Sequence, residues 1–580
     1  MSAPGLSQPL IHFGDYEVDS NSGELRKHGI RIRLQVQPFQ VLRILLERPG
    51  QAVTREELQK RIWPADTFVD FDHGLNNAVK KLRAVLGDDA EHPLFIETLS
   101  KRGYRFIGTV DCAGATLPAA RDSIAVLPFL NMSADPDNEF FADGITEEII
   151  NALAQVKELH VAARSSSFTF KGKQIDPRIV GERLNARTVL EGSVRKSGTR
   201  LRITAQLINA ADGYHFWSER YDREMKDVFE VQDEIARAIV ERLKVTLKRA
   251  GQGSLIKVGT KNLEAYEAFL KGRALLYQRG LGLPRALECF QRAVALDPAY
   301  SLAWANVADA NVMIAFYGFA HPDVVLEKAK ETAIRAMTLD ANIAEAHNAL
   351  AAASLLKDWD WSRAESEFVR AIELDPRSVL ARSRYALWCV LVAGGRFDEG
   401  VTQAREAREF DPLSSYAATI LSFAYYVAGK PAEALKMAHD AVGLEPESAL
   451  ARVSLAFALH SLRRYAEAVA AIETGLSMSG RHPMFIAALT VTLADAGKLE
   501  EAKLVHAELR TRSAREFVSP FLLALSAAAT GDRTDAIRFL QASYEIRDPQ
   551  LTTFGKYWPG SERLRERCRF DETLGAMGLK

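Results

Sequence analysis

Phe71 to Arg105 reads FDHGLNNAVKKLRAVLGDDAEHPLFIETLSKRGYR, and its two halves carry different periods. In the first half Leu75, Val79, Leu82 and Leu86 recur at steps of four, three and four. That spacing predicts one apolar stripe on an α-helix, docked on a core along that line. The opposite face carries Asn76, Asn77, Lys80, Lys81 and Arg83, with no carboxylate between Gly74 and Gly87. Amides beside cations on an exposed face suit the donors and acceptors of base edges and the phosphates next to them. Gly87 ends the helix. Beyond GDDAEHP, Phe95 to Leu99 and Tyr104 to Ile107 read as short strands, turned by the basic tip Ser100-Lys101-Arg102-Gly103. Either half alone is ordinary surface chemistry, since lysine-rich helix faces are commonly just solvated. Their order is what carries information.

Working outward, Ile11-His12-Phe13, Tyr16-Glu17-Val18, Leu25-Arg26 and Ile32-Arg33-Leu34 are broken by Asn21-Ser22-Gly23 and His28-Gly29. They predict a small antiparallel sheet. Pro38 opens a helix with Phe39, Leu42, Leu45 and Leu46 on one face, closed by Pro49-Gly50. Thr54-Arg55-Glu56-Glu57 is a capping box that starts a helix to Trp63, which Pro64 stops. An acidic loop, Ala65 to Asp72, holds Asp66, Asp70 and Asp72, the last read as an N-cap. Two helices joined by a loop and followed by a basic hairpin predict an α+β winged helix-turn-helix.

Residues 10–108 resemble the effector domain of OmpR/PhoB-type regulators. Asn76-Asn77-Ala78-Val79-Lys80-Lys81-Leu82-Arg83 lies where that family has its recognition helix. Ile96-Glu97-Thr98-Leu99 with Arg102-Gly103-Tyr104-Arg105-Phe106 matches the family's I-x-T-V-x-x-x-G-Y-x-F wing. The resemblance implies binding to double-stranded DNA. Asn77 and Lys81 are the candidates for base edges, and Asn76, Lys80 and Arg83 for phosphates or groove flanks. Lys101, Arg102, Tyr104 and Arg105 are the candidates on the wing, and Arg83 has a competing role in holding the helix. It also implies an RNA polymerase contact through residues 65–72, as in some family members, and a dimer on tandem half-sites. About ten residues precede the domain, so no phosphoacceptor receiver is expected in cis.

At 580 residues the chain is long enough for three or four domains of roughly 150 residues each. The net charge is −1, and residues 1–110 hold 15 Lys and Arg against 14 Asp and Glu, a net of +1. DNA binding must therefore come from placement of charge, not from bulk charge. Cys112, Cys289, Cys389 and Cys568 are scattered without a CxxC pair, which predicts neither a disulfide framework nor a zinc site. The start MSAPGLSQPL has no signal layout, and the apolar run Tyr385 to Ala393 is too short to span a bilayer. The expectation is a cytoplasmic protein with no membrane contact.

Residues 109–121 are small and polar and predict a linker. Regulators of the CadC/ToxR kind carry a transmembrane helix near this place, and this chain departs from them. Residues 122–250 predict a small α/β domain. It has strands at Ile124–Phe129, Leu159–Ala162, Val189–Val194, Leu201–Ile208 and Tyr214–Tyr221. Its helices start at Asp143, cover Ile179–Leu184 and run from Val228 to Leu247. IAVLPF, FADGITEEIINAL, VLEGSVRKSG and LRITAQLINAADGYHFWSERYDR resemble the TolB N-terminal-like (FlgO-like) domain.

From residue 262 the chain repeats. Ala364, Phe368, Ala371 and Pro376 step by 4, 3 and 5, as do Ala286, Phe290, Ala293, Pro298 and Ala434, Ala438, Ala441, Pro446. Pro376, Pro412 and Pro446 are 36 and 34 residues apart, which resembles the tetratricopeptide repeat. About eight units are expected over 262–550, weakest near Ala502, with a helical cap over 551–580. Arg382, Arg384, Tyr385 and Arg452 are candidates for a concave surface that grips a protein or peptide. No HExxH, GxSxG, Walker or GxGxxG motif occurs, so no enzyme, metal or cofactor is expected. The reading is a one-component transcriptional regulator. The alternative is a repeat scaffold whose winged helix meets protein rather than DNA.

Overall fold

The computed structural model describes residues 11–13, 16–19, 24–27, 30–32, 34–48, 50–62, 71–89, 93–99, 102–108, 110–112, 122–135, 138–156, 159–243, 259–278 and 280–579. The chain divides into two compact units, Met1–Ala120 and Arg121–Lys580.

In the first unit β1 (Ile11–Phe13), β2 (Tyr16–Asp19), β3 (Glu24–Lys27) and β4 (Ile30–Ile32) form an antiparallel meander. Then follow α1 (Val36–Leu46), β5 (Ala52–Thr54), α2 (Arg55–Ile62) and α3 (Phe71–Leu86), and last the wing strands β6 (Ile96–Leu99) and β7 (Gly103–Phe106). The wing pairs with β5 in the order β5-β7-β6. Gly103 sits at φ +153°, where an added Cβ would run into the Val53 carbonyl oxygen, so the crossing of β7 over β5 requires glycine. The expected linker at 109–121 begins too early, because β8 (Val110–Cys112) pairs antiparallel with β1 and extends the first sheet. A three-residue strand of Val-Asp-Cys is too short to show a period, which is why composition suggested a linker.

The second unit opens with β9 (Ser123–Val126) and β10 (Leu130–Asn131), so the strand expected over Ile124–Phe129 is interrupted. Pro128 lies in the break, and a proline has no N–H to give a ladder. The order continues through α4 (Glu139–Ala154), β11 (His160–Val161), α5 (Arg164–Phe168), α6 (Pro177–Leu184), β12 (Thr188–Ser197), β13 (Arg200–Asn209), β14 (His215–Glu224) and α7 (Val228–Arg242). Helix α4 starts four residues before Asp143, and α5 was not anticipated. The end of the helix expected to reach Leu247 lies outside the described residues. The sheet is β11-β9-β12-β13-β14, with β10 also on β12; its first three strands are parallel and its last three antiparallel.

Among the described residues eight helical pairs follow. They are α8 (Leu263–Gln278) with α9 (Leu283–Leu296), α10 (Ser301–Phe316) with α11 (Pro322–Leu339), α12 (Ala344–Ala353) with α13 (Trp361–Leu374), and α14 (Val379–Arg384) with α15 (Phe397–Phe410). Next come α16 (Ser415–Val427) with α17 (Pro431–Leu444), α18 (Ala449–Ser461) with α19 (Tyr465–Met478), α20 (Pro483–Asp495) with α21 (Leu499–Ser513), and α22 (Pro520–Thr530) with α23 (Arg533–Glu545). Helices α12 and α14 each run on into a π-helical stretch, Ser354–Asp358 and Tyr385–Ala393. Ala286, Phe290 and Ala293, like Ala364, Phe368 and Ala371, are fully buried, because small residues at steps of four and three let paired helices approach. The terminal segment begins at Pro549, not 551, with α24 (Pro549–Phe554), α25 (Ser561–Cys568) and α26 (Phe570–Ala576).

The α/β layer and the repeats share a core: Ile145, Ile149 and Val231 pack in one cluster with Tyr266, Phe269 and Phe290. Charges tie the same seam. Buried Glu147 of α4 accepts from Tyr277 Oη at 2.7 Å and pairs with Arg273 and Arg164. Burial alone would push the Glu147 carboxyl up, but the two guanidiniums outweigh it and hold it below its ordinary range. At the far side Asp411, after α15, accepts from Ser166 N at 3.0 Å, and Leu413 N donates to Ser166 Oγ at 2.8 Å. The α/β layer is therefore fastened to both the first pair and the turn after the fourth.

Candidate nucleic-acid interface

Helix α3 is anchored as its spacing predicts: Leu75, Val79, Leu82 and Leu86 are buried, together with Ala78. They meet Phe39, Leu42 and Leu45 of α1 and Leu58 of α2 in one core. At roughly 1.5–3 kcal/mol for each buried aliphatic side chain, this stripe fixes the rotation of the helix about its axis. Fixing that rotation forces Asn76, Asn77, Lys80 and Lys81 outward, and all four are exposed. Gly87, at φ +64°, ends the helix in the left-handed region, which glycine adopts without strain.

The polar face is partly committed to internal ties. Asn76 Oδ1 accepts from Arg55 Nη2 at 2.8 Å and from Tyr104 Oη at 3.0 Å, while Arg55 Nη1 donates to Tyr104 Oη at 3.2 Å. This cluster joins the start of α2, the start of α3 and the wing. Lys81 Nζ donates to Gln35 Oε1 at 2.8 Å, yet stays exposed. Arg83 Nη2 donates to Ile96 O at 2.6 Å and Thr98 Oγ1 at 2.9 Å. In the fold Arg83 is a clasp between α3 and the wing, the competing role foreseen for it. Asn77 and Lys80 have no hydrogen-bond or ionic partner among the described residues, and neither does the side chain of Arg102 at the wing turn.

Two candidates need correcting. Tyr104 is 4% exposed, because alternation along β7 turns its ring into the core beside Val53 and Phe106; it positions Asn76 and Arg55 rather than facing a ligand. Arg105 faces outward but lies directly opposite Glu97 in the β6–β7 register, and its Nη2 meets Glu97 Oε2 at 2.6 Å, which neutralises much of its charge. Lys101 and residues 65–70 of the acidic loop lie outside the described residues, and Asp72, read as an N-cap, falls inside α3 because the helix begins at Phe71.

Sequence reading missed two positioning residues. Arg55 was read only as part of the capping box, where Glu57 N does donate to Thr54 Oγ1 at 3.1 Å. Asp88, read as linker, staples the wing: Oδ1 accepts from Leu94 N at 2.6 Å and Oδ2 from Ile96 N at 2.8 Å. An acid just past a helix-ending glycine and before a strand was the available signal.

The expected concave surface of the repeats is not free. Arg384 is 2% exposed and paired with buried Asp309, its Nη2 resting on Met313 Sδ. Arg382 Nη1 meets Gln403 Oε1 at 2.5 Å and Glu406 Oε2 at 2.6 Å, and Tyr385 is buried. Arg452 Nη2 is tied to Pro446 O at 3.2 Å. Among the described residues no group of His, Cys, Asp and Glu is arranged to hold a metal, and no helix is long and apolar enough to cross a membrane.

Residues 29–106 match the family model described as transcriptional regulatory protein, C terminal. Residues 120–238 match that of the HilA/YgeH-like transcriptional regulator, second domain, and the likeness to TolB-type domains remains a resemblance only. Putative adenylate cyclase 3 of Rhizobium meliloti is 45% identical over 190 residues, 33% of this chain and 32% of that protein. The transcriptional regulator HilA of Salmonella typhimurium is 23% identical over 430 residues, 73% of this chain and 75% of that protein. Among solved structures YrrB, described as a TPR protein with an unusual peptide-binding site, covers 34% of this chain and 92% of its own at 21% identity and a TM-score of 0.22. The chain thus spans about a third of the cyclase and three quarters of HilA.

Proposed function

Taking residues 29–106 as a domain of the transcriptional regulatory C-terminal type, we propose that this chain is a sequence-specific DNA-binding transcriptional regulator and not an enzyme. The α/β layer and repeat array form its sensing or partner-binding region. The observation that carries the reading is the outward face of α3. Asn77 and Lys80 stand exposed in a stretch without carboxylates between Gly74 and Gly87, aimed by a buried stripe and clasped to a wing with exposed Arg102 at its turn. In this reading α3 enters the major groove with Asn77 and Lys81 at base edges. Lys81 leaves Gln35 to do so. Asn76 and Lys80 flank the groove, and Arg102 with Lys101 meets the adjacent backbone. A polymerase contact through residues 65–72, dimerisation on tandem half-sites and a cytoplasmic location belong to the same proposal. The likeness to HilA over three quarters of that regulator supports it.

The test is duplex binding by the full chain after selection of a preferred site from random DNA. Lys81→Ala is expected to relax preference at one or two base positions. Arg102→Ala should weaken all duplexes alike and lower the slope of log affinity against log salt by about 1. A folded chain that selects no sequence and binds no duplex at low ionic strength defeats the reading in favour of a repeat-built scaffold.

A further inference from the structure

In a stack of helical pairs the first helices line the inner groove, and that face is normally open to a ligand. Here the first helices are buried on nearly every side; α10, α16, α18, α20 and α22 each have eight or more buried residues. What covers them is the chain's own end. Gln550 Nε2 donates to Phe316 O of the second pair at 2.6 Å, and Trp359 Nε1 of the third donates to Thr552 Oγ1 at 3.1 Å. Phe554 packs on Phe423 of the fifth pair with ring centroids 5.2 Å apart, and Tyr426 Oη donates to Tyr557 O at 2.7 Å. Trp558 meets Phe457 of the sixth at 4.9 Å, and Arg563 reaches Asp495 of the seventh at 2.5 Å. A solenoid cap covers the last repeat only; this segment touches most of the array from within.

We propose that the inner groove of the repeat array is a binding site for short peptides carrying Leu, Phe and Trp at positions i, i+3 and i+7, the first two on one helical turn and the third on an extended exit from it. Residues 549–568 occupy it in cis as a displaceable self-ligand. The ligand class is read from the occupant, whose Leu551, Phe554 and Trp558 have this spacing and are buried against the groove. Leu551 and Phe554 lie on α24, and the backbone is extended at Trp558, so the anchors sit on a helical turn and its exit. Two features make the occupant exchangeable. Its helices, of six and eight residues, are too short to persist unaided. Its fit is also incomplete. Tyr557 Oη, Trp558 Nε1 and Arg563 Nη1, with Ser383 Oγ on the wall of a small cavity that Phe554 and Arg384 also line, are buried without hydrogen-bond partners. Displacement would return the first three, which belong to the occupant, to water, and a ligand that satisfied Ser383 Oγ would compete favourably.

The inference gives a partner to the region proposed above to sense one, but it does not depend on DNA binding, so the two fail separately. The probe is a fluorescent peptide of residues 546–567 added to the full chain and to the Phe554→Ala/Trp558→Ala variant. The variant, with its own occupant weakened, is expected to bind the peptide at least about ten-fold more tightly than the unaltered chain. The same peptide with both aromatics replaced by Ala should not bind. No binding to a folded variant, or equal binding by both chains, overturns the proposal. Should the variant fail to fold, hydrogen exchange on the unaltered chain decides. Amides of 551–564 should exchange at least ten-fold faster than those of Leu522 to Ala529, and equal protection of the two overturns it.

Discussion

The outward face of α3 and the inward face of the repeats treat charge in opposite ways. On α3, Lys80 stands in water without a partner among the described residues, as does Arg102 on the wing. In the array, Arg384 is withdrawn from water and locked to Asp309, and Arg382 is held between Gln403 and Glu406. An unpaired surface cation costs little and remains available to a polyanion, whereas a buried cation must be matched within the fold. A basic residue in the sequence therefore says nothing of its use until the distance to the nearest carboxylate is known. Helix α3 has none in its sequence between Gly74 and Gly87.

The sharpest way to break this contrast is to remove one half of the buried pair. Arg384→Met leaves Asp309 charged and unpaired in the core, and is expected to cost about 3–5 kcal/mol in urea unfolding. Adding Asp309→Leu should recover most of that loss. A single variant that loses under about 1 kcal/mol would mean that the pair is not what steadies α10 against α14.

A carboxylate at the seam gives the next largest effect. Burial pushes the Glu148 carboxyl up to about 7; Arg273 opposes the shift, while Glu147 and Glu345 add to it. The folded state thus holds its proton where the unfolded chain, near the ordinary value of 4.5, has lost it. Stability falls as pH rises from about 4.5 to about 7 and stays reduced above that range. Glu148→Gln is expected to gain on the order of 2 kcal/mol at pH 8 and nothing at pH 4, read from denaturation midpoints at both. A gain equal at the two pH values would assign the effect to packing instead.

On the DNA side, two cations differ in their neighbours. Lys80→Ala should lower the salt slope of binding by about 1, while Arg105→Ala, already neutralised by Glu97, should barely change it. Anisotropy titrations between low and moderate salt measure both. Equal slopes for the two variants would erase the distinction between free and paired charge.

What was legible in the sequence is what repeats locally. The stripe from Leu75 to Leu86 set the orientation of α3, and the Ala364-Phe368-Ala371 step marked the second helices of the pairs. The unit near Ala502 looked weakest, and His506 stands there where other units have Phe, Ala, Ile or Leu. In the fold it is a complete pair, with His506 Nδ1 on Ser526 Oγ at 2.9 Å. Asp88 and Tyr104 act through partners on other elements, so no local period could reveal their roles. The filling of the groove was invisible for the same reason: Gln550 and Phe316 are 234 positions apart.

The smallest effect separates positioning from contact on the recognition surface. Tyr104→Phe keeps the ring in the core and its place under Arg55, whose guanidinium carbon lies 5.7 Å from the ring centroid. It removes the hydroxyl that donates to Asn76 and accepts from Arg55. Arg55 Nη2 still holds Asn76 Oδ1, so Asn76 loses one of two ties rather than its place. A net hydrogen bond of about 0.5–1.5 kcal/mol should disappear from stability, with a fall in DNA affinity of less than ten-fold. A hydroxyl that touched DNA directly would show the opposite pattern, affinity lost and stability kept, because the free protein would then have nothing to lose. Measuring the melting temperature and the affinity of this one variant together therefore tests whether the wing reaches the helix through Tyr104 before either reaches a duplex.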